Sequence, residues 1–167
     1  MKFLIRLFAI SLCLAILIGL DAYTKHLATL YLMGEASSSY FGGMLELVYA
    51  ENMGGMLGFG DQLPEIIRFL VFEVMVGVVL LVLFLFCLLK TNLGVVRVIS
   101  YILILSGGLG NLIDRLINNG KVVDFVVLGI ADLHTGIFNI ADVYVSSGVL
   151  LLLLFSIFSH KPVNEEQ

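Results

Sequence analysis

Three short runs concentrate carboxylates and amides inside otherwise apolar sequence. They are Gly107-Gly108-Leu109-Gly110-Asn111-Leu112-Ile113-Asp114-Arg115, Val122-Val123-Asp124-Phe125 and Phe138-Asn139-Ile140-Ala141-Asp142. In helical geometry Asn111, Asp114 and Arg115 stand at i, i+3 and i+4 and project from one side. Asn139, Asp142 and Ser146, at i, i+3 and i+7, form one polar stripe aimed at neighbouring helices. Asp21 and Lys25 add an acid–base pair four residues apart. The chemistry open to this set is narrow. His26, His134 and His160 are scattered, no H-E-x-x-H supplies metal ligands, and neither G-x-S-x-G nor a Cys–His pairing offers a nucleophile. Paired carboxylates remain. Two aspartates held close cannot both ionise, so one stays protonated and acts as acid while the other activates water. Residue types and spacing leave both Asp114 and Asp124 eligible as the partner of Asp142.

Plainer readings stand beside these. Asp21 and Lys25 could anchor a helix end at an interface, and Asp114 with Arg115 could cap a helix. Glu73, near Arg68, reads as an interfacial or helix-packing group. A carboxyl one or two turns into an apolar span, as Asp142 is, does not read as a cap; its plain alternative is a helix-to-helix hydrogen bond.

The elements that must position these residues follow from composition. Of 167 residues, 60% are hydrophobic and 13% charged, and mean hydropathy is +1.08. Soluble domains carry roughly 45–50% apolar and about 25% charged residues, so a water-soluble monomer and the disordered, collagenous and coiled-coil classes are excluded. The net charge is -4 and no basic patch stands out, so nucleic acid is not an expected partner. Cys13 and Cys87 lie in apolar runs and read as neither a disulfide nor a zinc site. A bilayer-crossing helix needs about 20 mostly apolar residues. Four stretches qualify, residues 3–20, 66–89, 95–113 and 137–158, within a single domain covering 1–167.

Lys2 and Arg6 before the first apolar run resemble the start of a signal peptide. No A-x-A-like site follows, and Leu12 before Cys13 does not suit lipid attachment, so the first span is expected to stay uncleaved. Lys2, Arg6, Lys90, Arg97 and Lys161 flank the short segments, which places those segments and both termini in the cytoplasm. Residues 21–65 and 114–136 then face outward. In the first of these, Ser37-Ser38-Ser39 and Gly42-Gly43 are punctuation, Met44-Leu45-Glu46-Leu47-Val48-Tyr49 is a candidate strand, and glycines cluster at Gly54, Gly55, Gly58 and Gly60.

Asp21-Ala22-Tyr23-Thr24-Lys25, Asn52-Met53-Gly54, Gly110-Asn111-Leu112-Ile113-Asp114-Arg115, Val123-Asp124-Phe125 and Phe138-Asn139-Ile140-Ala141-Asp142 occur in this order on four spans. In that set the chain resembles the bacterial lipoprotein signal peptidases (signal peptidase II). The resemblance implies an all-α membrane fold of four transmembrane helices, with a small extracytoplasmic β-sheet cradle at about residues 34–65. It implies an aspartic endopeptidase of the bacterial cytoplasmic (inner) membrane, active near the outer face. Such enzymes cut the signal peptide from diacylglyceryl-modified prolipoproteins just before the lipidated cysteine. Matched by motif, the catalytic aspartates fall on Asp124 and Asp142. Asn52, Gly54, Asn111, Arg115 and Asn139 fall on substrate-binding positions, and Asp21, Lys25, Gly108, Gly110, Asp114 and Ala141 on supporting ones. Where the family has two small residues and an aromatic after Asn52-Met53-Gly54, this chain has Gly55, Met56 and Leu57, with its aromatic at Phe59. The sequence offers no evident metal or other cofactor site, and the expected partners are membrane lipids and the family's cyclic peptide inhibitors, with the chain expected to be a monomer.

Two other classes compete. A small proton-coupled transporter could use the same aspartates as a relay, although they crowd one edge and the glycine-interrupted span has no repeat counterpart. A non-catalytic assembly protein could use them to bind helices together.

Overall fold

In an apolar stretch with no water to serve the peptide groups, the backbone must satisfy itself, and a helix does so within one segment. The computed structural model describes residues 1–55, 58–130 and 133–159; the readings on Met56, Leu57, His160 and Lys161 lie outside them. Among the described residues four helices are long and apolar enough to cross a membrane, in agreement with the four spans read from the sequence. They are α1 (Lys2–Leu32), α2 (Glu65–Leu89), α3 (Val95–Ile117) and α4 (Ile140–Ser159). α1 does not stop where its apolar run ends at Asp21. It runs on through Asp21 and Lys25 to Leu32, because both charges are buried against other elements. α2 widens into a π-helical stretch over Phe69–Met75. At its other end the Arg6 guanidinium donates to the carbonyls of Cys87 (2.7 Å) and Lys90 (2.9 Å), serving orphan acceptors of the last turn. Cys13 and Cys87 are free thiols.

α3 is the hub, and its glycines make it one. A Cβ on Gly107 would run into the Ala141 carbonyl oxygen of α4. One on Gly108 would come within 2.5 Å of Leu80 of α2, and one on Gly110 within 2.7 Å of Asp21 of α1. Three small positions on one helix therefore admit three neighbours, the close approach that association in lipid favours. Ser100 and Ser106, fully buried in α3, turn their hydroxyls back onto the carbonyls of Val96 (2.9 Å) and Ile102 (2.7 Å). The apolar core beneath consists of Ile10, Leu14, Leu80, Cys87, Leu88 and Leu105.

The sheet expected after the first span is present, and it extends further. β1 (Ser38–Tyr40) and β2 (Leu45–Asn52) come from that segment, while β3 (Val122–Ile130) and β4 (Leu133–His134) come from between α3 and α4. The order is β1-β2-β3-β4, antiparallel throughout. Between the pairs Leu47–Val126 and Ala50–Asp124, three steps along β2 answer two along β3. This bulge beside Asp124 is the kind of irregularity that re-aims side chains near functional sites. Val123 and Phe125 bury one face against Ala28, with Leu32 and Ile140 packed around them. Phe138 pairs with β3 through three main-chain bonds of 2.9–3.0 Å, which fixes the start of α4 alongside Asp124.

Gly107→Ala should destabilise the fold by about 1–3 kcal/mol, the usual cost of overpacking. Gly94→Ala, where an added Cβ meets nothing within 4 Å, should stay within about 0.5 kcal/mol of wild type. Unfolding in mixed micelles followed by far-UV circular dichroism checks both; equal effects would contradict the close α3–α4 contact.

Candidate active site

Lys25 is the first fixed point. Its Nζ lies 2.7 Å from Asp21 Oδ2, 2.8 Å from Asp114 Oδ2 and 2.8 Å from Asn111 Oδ1, with only 4% of the lysine exposed. One ammonium thus serves two carboxylates. The second oxygen of Asp21 accepts the Ala141 N–H at 2.9 Å, one of the orphan donors of the first turn of α4, where the helix dipole favours negative charge. Removing one partner from a buried ionic group of this kind costs about 3–5 kcal/mol.

The cation also orients an amide. Because an ammonium can only donate, Asn111 must turn Oδ1 toward it, and its Nδ2 then donates to Asp142 Oδ1 at 2.8 Å. Asp142 and Asn139 cap each other: the Asn139 N–H donates to Asp142 Oδ2 (3.1 Å) and the Asp142 N–H to Asn139 Oδ1 (3.0 Å). This is a capping box, and it corrects the reading that Asp142 is too deep in its span to cap. α4 starts at Ile140, so Asp142 sits in the first turn and also faces α3.

With Oδ1 of Asn139 committed to the cap, its Nδ2 donates to Asn111 Oδ1 (3.1 Å) and to Asp124 Oδ1 (2.6 Å). The other oxygen of Asp124 accepts from Asn52 Nδ2 at 2.9 Å. Asn52 closes a turn by accepting the Gly54 N–H (2.8 Å) and donating to the Gly55 carbonyl (3.1 Å). A Cβ on Gly54 would lie 2.5 Å from the Phe59 carbonyl oxygen, so no larger residue fits there. The Gly54 carbonyl in turn accepts Arg115 Nη2 at 2.5 Å, while the guanidinium lies 5.5 Å from the Phe72 ring centroid.

The site therefore holds two aspartates with different surroundings and one shared residue. Asp124 is 3% exposed and Asp142 is half-buried. Burial, reinforced by the nearby Asp142 charge, pushes the Asp124 carboxyl up to about 6 against the pull of the Asn52 and Asn139 amides. Of the two candidates for a partner to Asp142, Asp114 is tied to Lys25, and it is Asp124 that shares Asn139 with Asp142. A pair with one proton between them can deprotonate a water and protonate a carbonyl oxygen.

Asp21, Lys25, Asn52, Gly54, Gly110, Asn111, Asp114, Arg115, Asp124, Asn139, Ala141 and Asp142 all meet in this network. Gly108 stands apart, against Leu80. Ser146 is exposed and makes no hydrogen bond to the network. Phe72, which carries Arg115 and touches the positions of Gly55 and Gly60, was not among the predicted residues. Its only sequence signal is its place one helical turn beyond Arg68 at the start of an apolar span.

The family profile described as "Signal peptidase (SPase) II" matches residues 13–158. Among curated relatives, the lipoprotein signal peptidase of Borrelia hermsii is 34% identical over 161 residues, 92% of each chain. That of Syntrophus aciditrophicus is 35% identical over 162 residues, 96% of this chain and 98% of its own. A solved structure described as a bacterial membrane enzyme superposes with a TM-score of 0.80 at 24% identity, covering 95% of this chain and 93% of the other. A second of the same description gives 0.77, with coverage of 91% and 94%. These two establish the likeness of fold.

The raised Asp124 carboxyl has a consequence for stability. The folded state binds this proton more tightly than the unfolded chain does, so stability is lost as pH rises from about 4 through about 6. The melting temperature of Asp124→Asn relative to wild type should therefore climb across that window and level off above it. A difference independent of pH would contradict burial of an ionised Asp124.

Proposed function

The chain belongs to the signal peptidase II family, whose members are aspartic peptidases, and from that membership we propose that it removes the signal peptide from diacylglyceryl-modified prolipoproteins, cutting just before the lipidated cysteine, with Asp124 and Asp142 as the catalytic pair. The observation that carries the assignment of the pair is Asn139. Its side chain donates to Asp124 and its main chain to Asp142, while each carboxylate's other oxygen is held by a different amide, Asn52 or Asn111.

In this reading the more accessible Asp142 takes a proton from water, and the oxygen attacks the scissile carbonyl. Asp124, buried and inclined to hold its proton, donates to the carbonyl oxygen. Collapse of the tetrahedral intermediate returns a proton to the departing amine, which becomes the new α-amino group of the lipidated cysteine. Asn52, Gly54, Asn111, Arg115 and Asn139 line the approach and hold the peptide main chain. Positioning of this kind supplies several of the roughly 7–11 kcal/mol available from orientation. The diacyl chains lie along the apolar outer faces of the helices, with about 0.8 kcal/mol gained for each CH₂ buried.

The enzyme works in the bacterial cytoplasmic membrane with both termini inside. The network lies where the C-terminal end of α3 meets the N-terminal end of α4, on the outer side in that orientation. A relay for ions draws no comparable support, because Asp21, Asp114, Asp124 and Asp142 gather in one cluster instead of spacing along the bundle. A cyclic peptide that places a hydroxyl between the two carboxylates should compete with substrate.

The test is cleavage of one prolipoprotein with and without its diacylglyceryl group, by purified protein in lipid. Wild type should release the signal peptide from the lipidated form only, while Asp124→Asn and Asp142→Asn, folded by circular dichroism, should show a loss of at least about 10³-fold. Equal cleavage of the unlipidated form would refute the substrate class, and appreciable turnover by either variant would refute the pair.

A further inference from the structure

A cavity of about 860 Å³ opens between the N-terminal end of α2 and the C-terminal end of α3. Neither Asp124 nor Asp142 lines it, and Arg115 is common to it and to the aspartate network. Its polar groups are incompletely used. Arg115 is 8% exposed, gives Nη1 and Nη2 to the carbonyls of Asn111 and Gly54, and has an enclosed Nε with no hydrogen-bond partner among the described residues. Arg68 gives Nη1 to the carbonyls of Asp61 (2.8 Å) and Leu63 (3.2 Å), leaving its other N–H groups available. Glu73, half-buried, makes no hydrogen bond or ion pair among the described residues. An ionisable side chain within a membrane helix is costly and is normally partnered.

Two features suit this cavity to a ligand. Phe69, Phe72 and Glu73 lie in the π-helical stretch of α2, and such windings occur frequently at functional sites. The mouth is rimmed by Ile66 and Leu116, each 63% exposed, at the end of two membrane-crossing helices where the neighbours are lipids. A ligand that completes the cavity must offer an anion to two guanidinium groups, a hydrogen-bonding cation to Glu73, and an apolar body to the rim. We propose that the cavity binds the headgroup of a bilayer phospholipid bearing a phosphate and a primary ammonium, as in phosphatidylethanolamine, with Arg68 and Arg115 on the phosphate and Glu73 on the ammonium. A purely anionic lipid would leave Glu73 without a partner and face its charge. A quaternary ammonium has no N–H to give it.

The experiment is native mass spectrometry of the full chain, delipidated in detergent and offered equimolar phosphatidylethanolamine, phosphatidylglycerol and phosphatidylcholine of the same acyl chains. Wild type should retain phosphatidylethanolamine with at least about tenfold preference, the scale of one charge-assisted hydrogen bond. Glu73→Gln, which keeps the shape, should lose the preference, and Ile66→Trp, which keeps the charges but fills the mouth, should lower retention of that lipid. Glycerophosphoethanolamine, the head without chains, should displace the lipid only at large excess; displacement at parity would mean a soluble headgroup is the ligand. No preference in wild type, or an undiminished preference in folded Glu73→Gln, would overturn the proposal. Cleavage is not part of the readout, so failure here is distinct from failure of the peptidase reading.

Discussion

One buried ammonium shapes this molecule. Lys25 sits among Asp21, Asp114 and Asn111, with its Nζ 2.7–2.8 Å from an oxygen of each, and the surrounding fold is arranged about that contact. Asp21 neutralises the first turn of α4 through Ala141. Asn111 cannot rotate its amide without setting an N–H against a cation, so it presents that N–H to Asp142 instead. Gly110 leaves room for Asp21, and Gly107 leaves room for the Ala141 carbonyl. Three helices are thus held in register by electrostatics that only a single mutual placement satisfies.

In the proposed mechanism that placement prepares the chemistry. The two aspartates are held by amides and a main-chain N–H, which fix geometry without supplying a full countercharge. One of them, Asp124, pays for this in stability above about pH 6, the region in which its charge is buried. Strain of this kind between stability and function is common at active sites. The sheet contributes more than a cover. Its bulge and its pairing with Phe138 bring Asn52, Asp124 and Asn139 within hydrogen-bond reach across three separate segments.

Much of this was legible in the sequence, for physical reasons. The four spans show because lipid demands continuous apolar helices, and the polar residues show because each is expensive at that depth. Three things were hidden. α1 outruns its apolar run, because Lys25 and Asp21 are neutralised by residues far along the chain. β3 was not anticipated, because Val122-Val123-Asp124-Phe125-Val126-Val127, buried on both sides for most of its length, lacks the polar alternation of a half-exposed strand. Spacing alone left both Asp114 and Asp124 open as the partner of Asp142, because the tie of Asp114 to Lys25 is a contact between distant segments; the motif resemblance is what pointed to Asp124. Glu73, read as an interfacial or packing group, lines a cavity wall and has no hydrogen-bonded partner among the described residues.

The central claim, one proton shared by Asp124 and Asp142, is tested most directly by the pH dependence of kcat/KM, which reports the free enzyme. The account predicts a bell whose limbs belong to the pair, with the alkaline limb beginning no lower than about pH 6. Asn52→Ala removes an amide that favours the charged form of Asp124, and should move that limb to higher pH as well as lowering the rate. A profile flat from acid to alkaline pH, or an alkaline limb unmoved in Asn52→Ala, would contradict it.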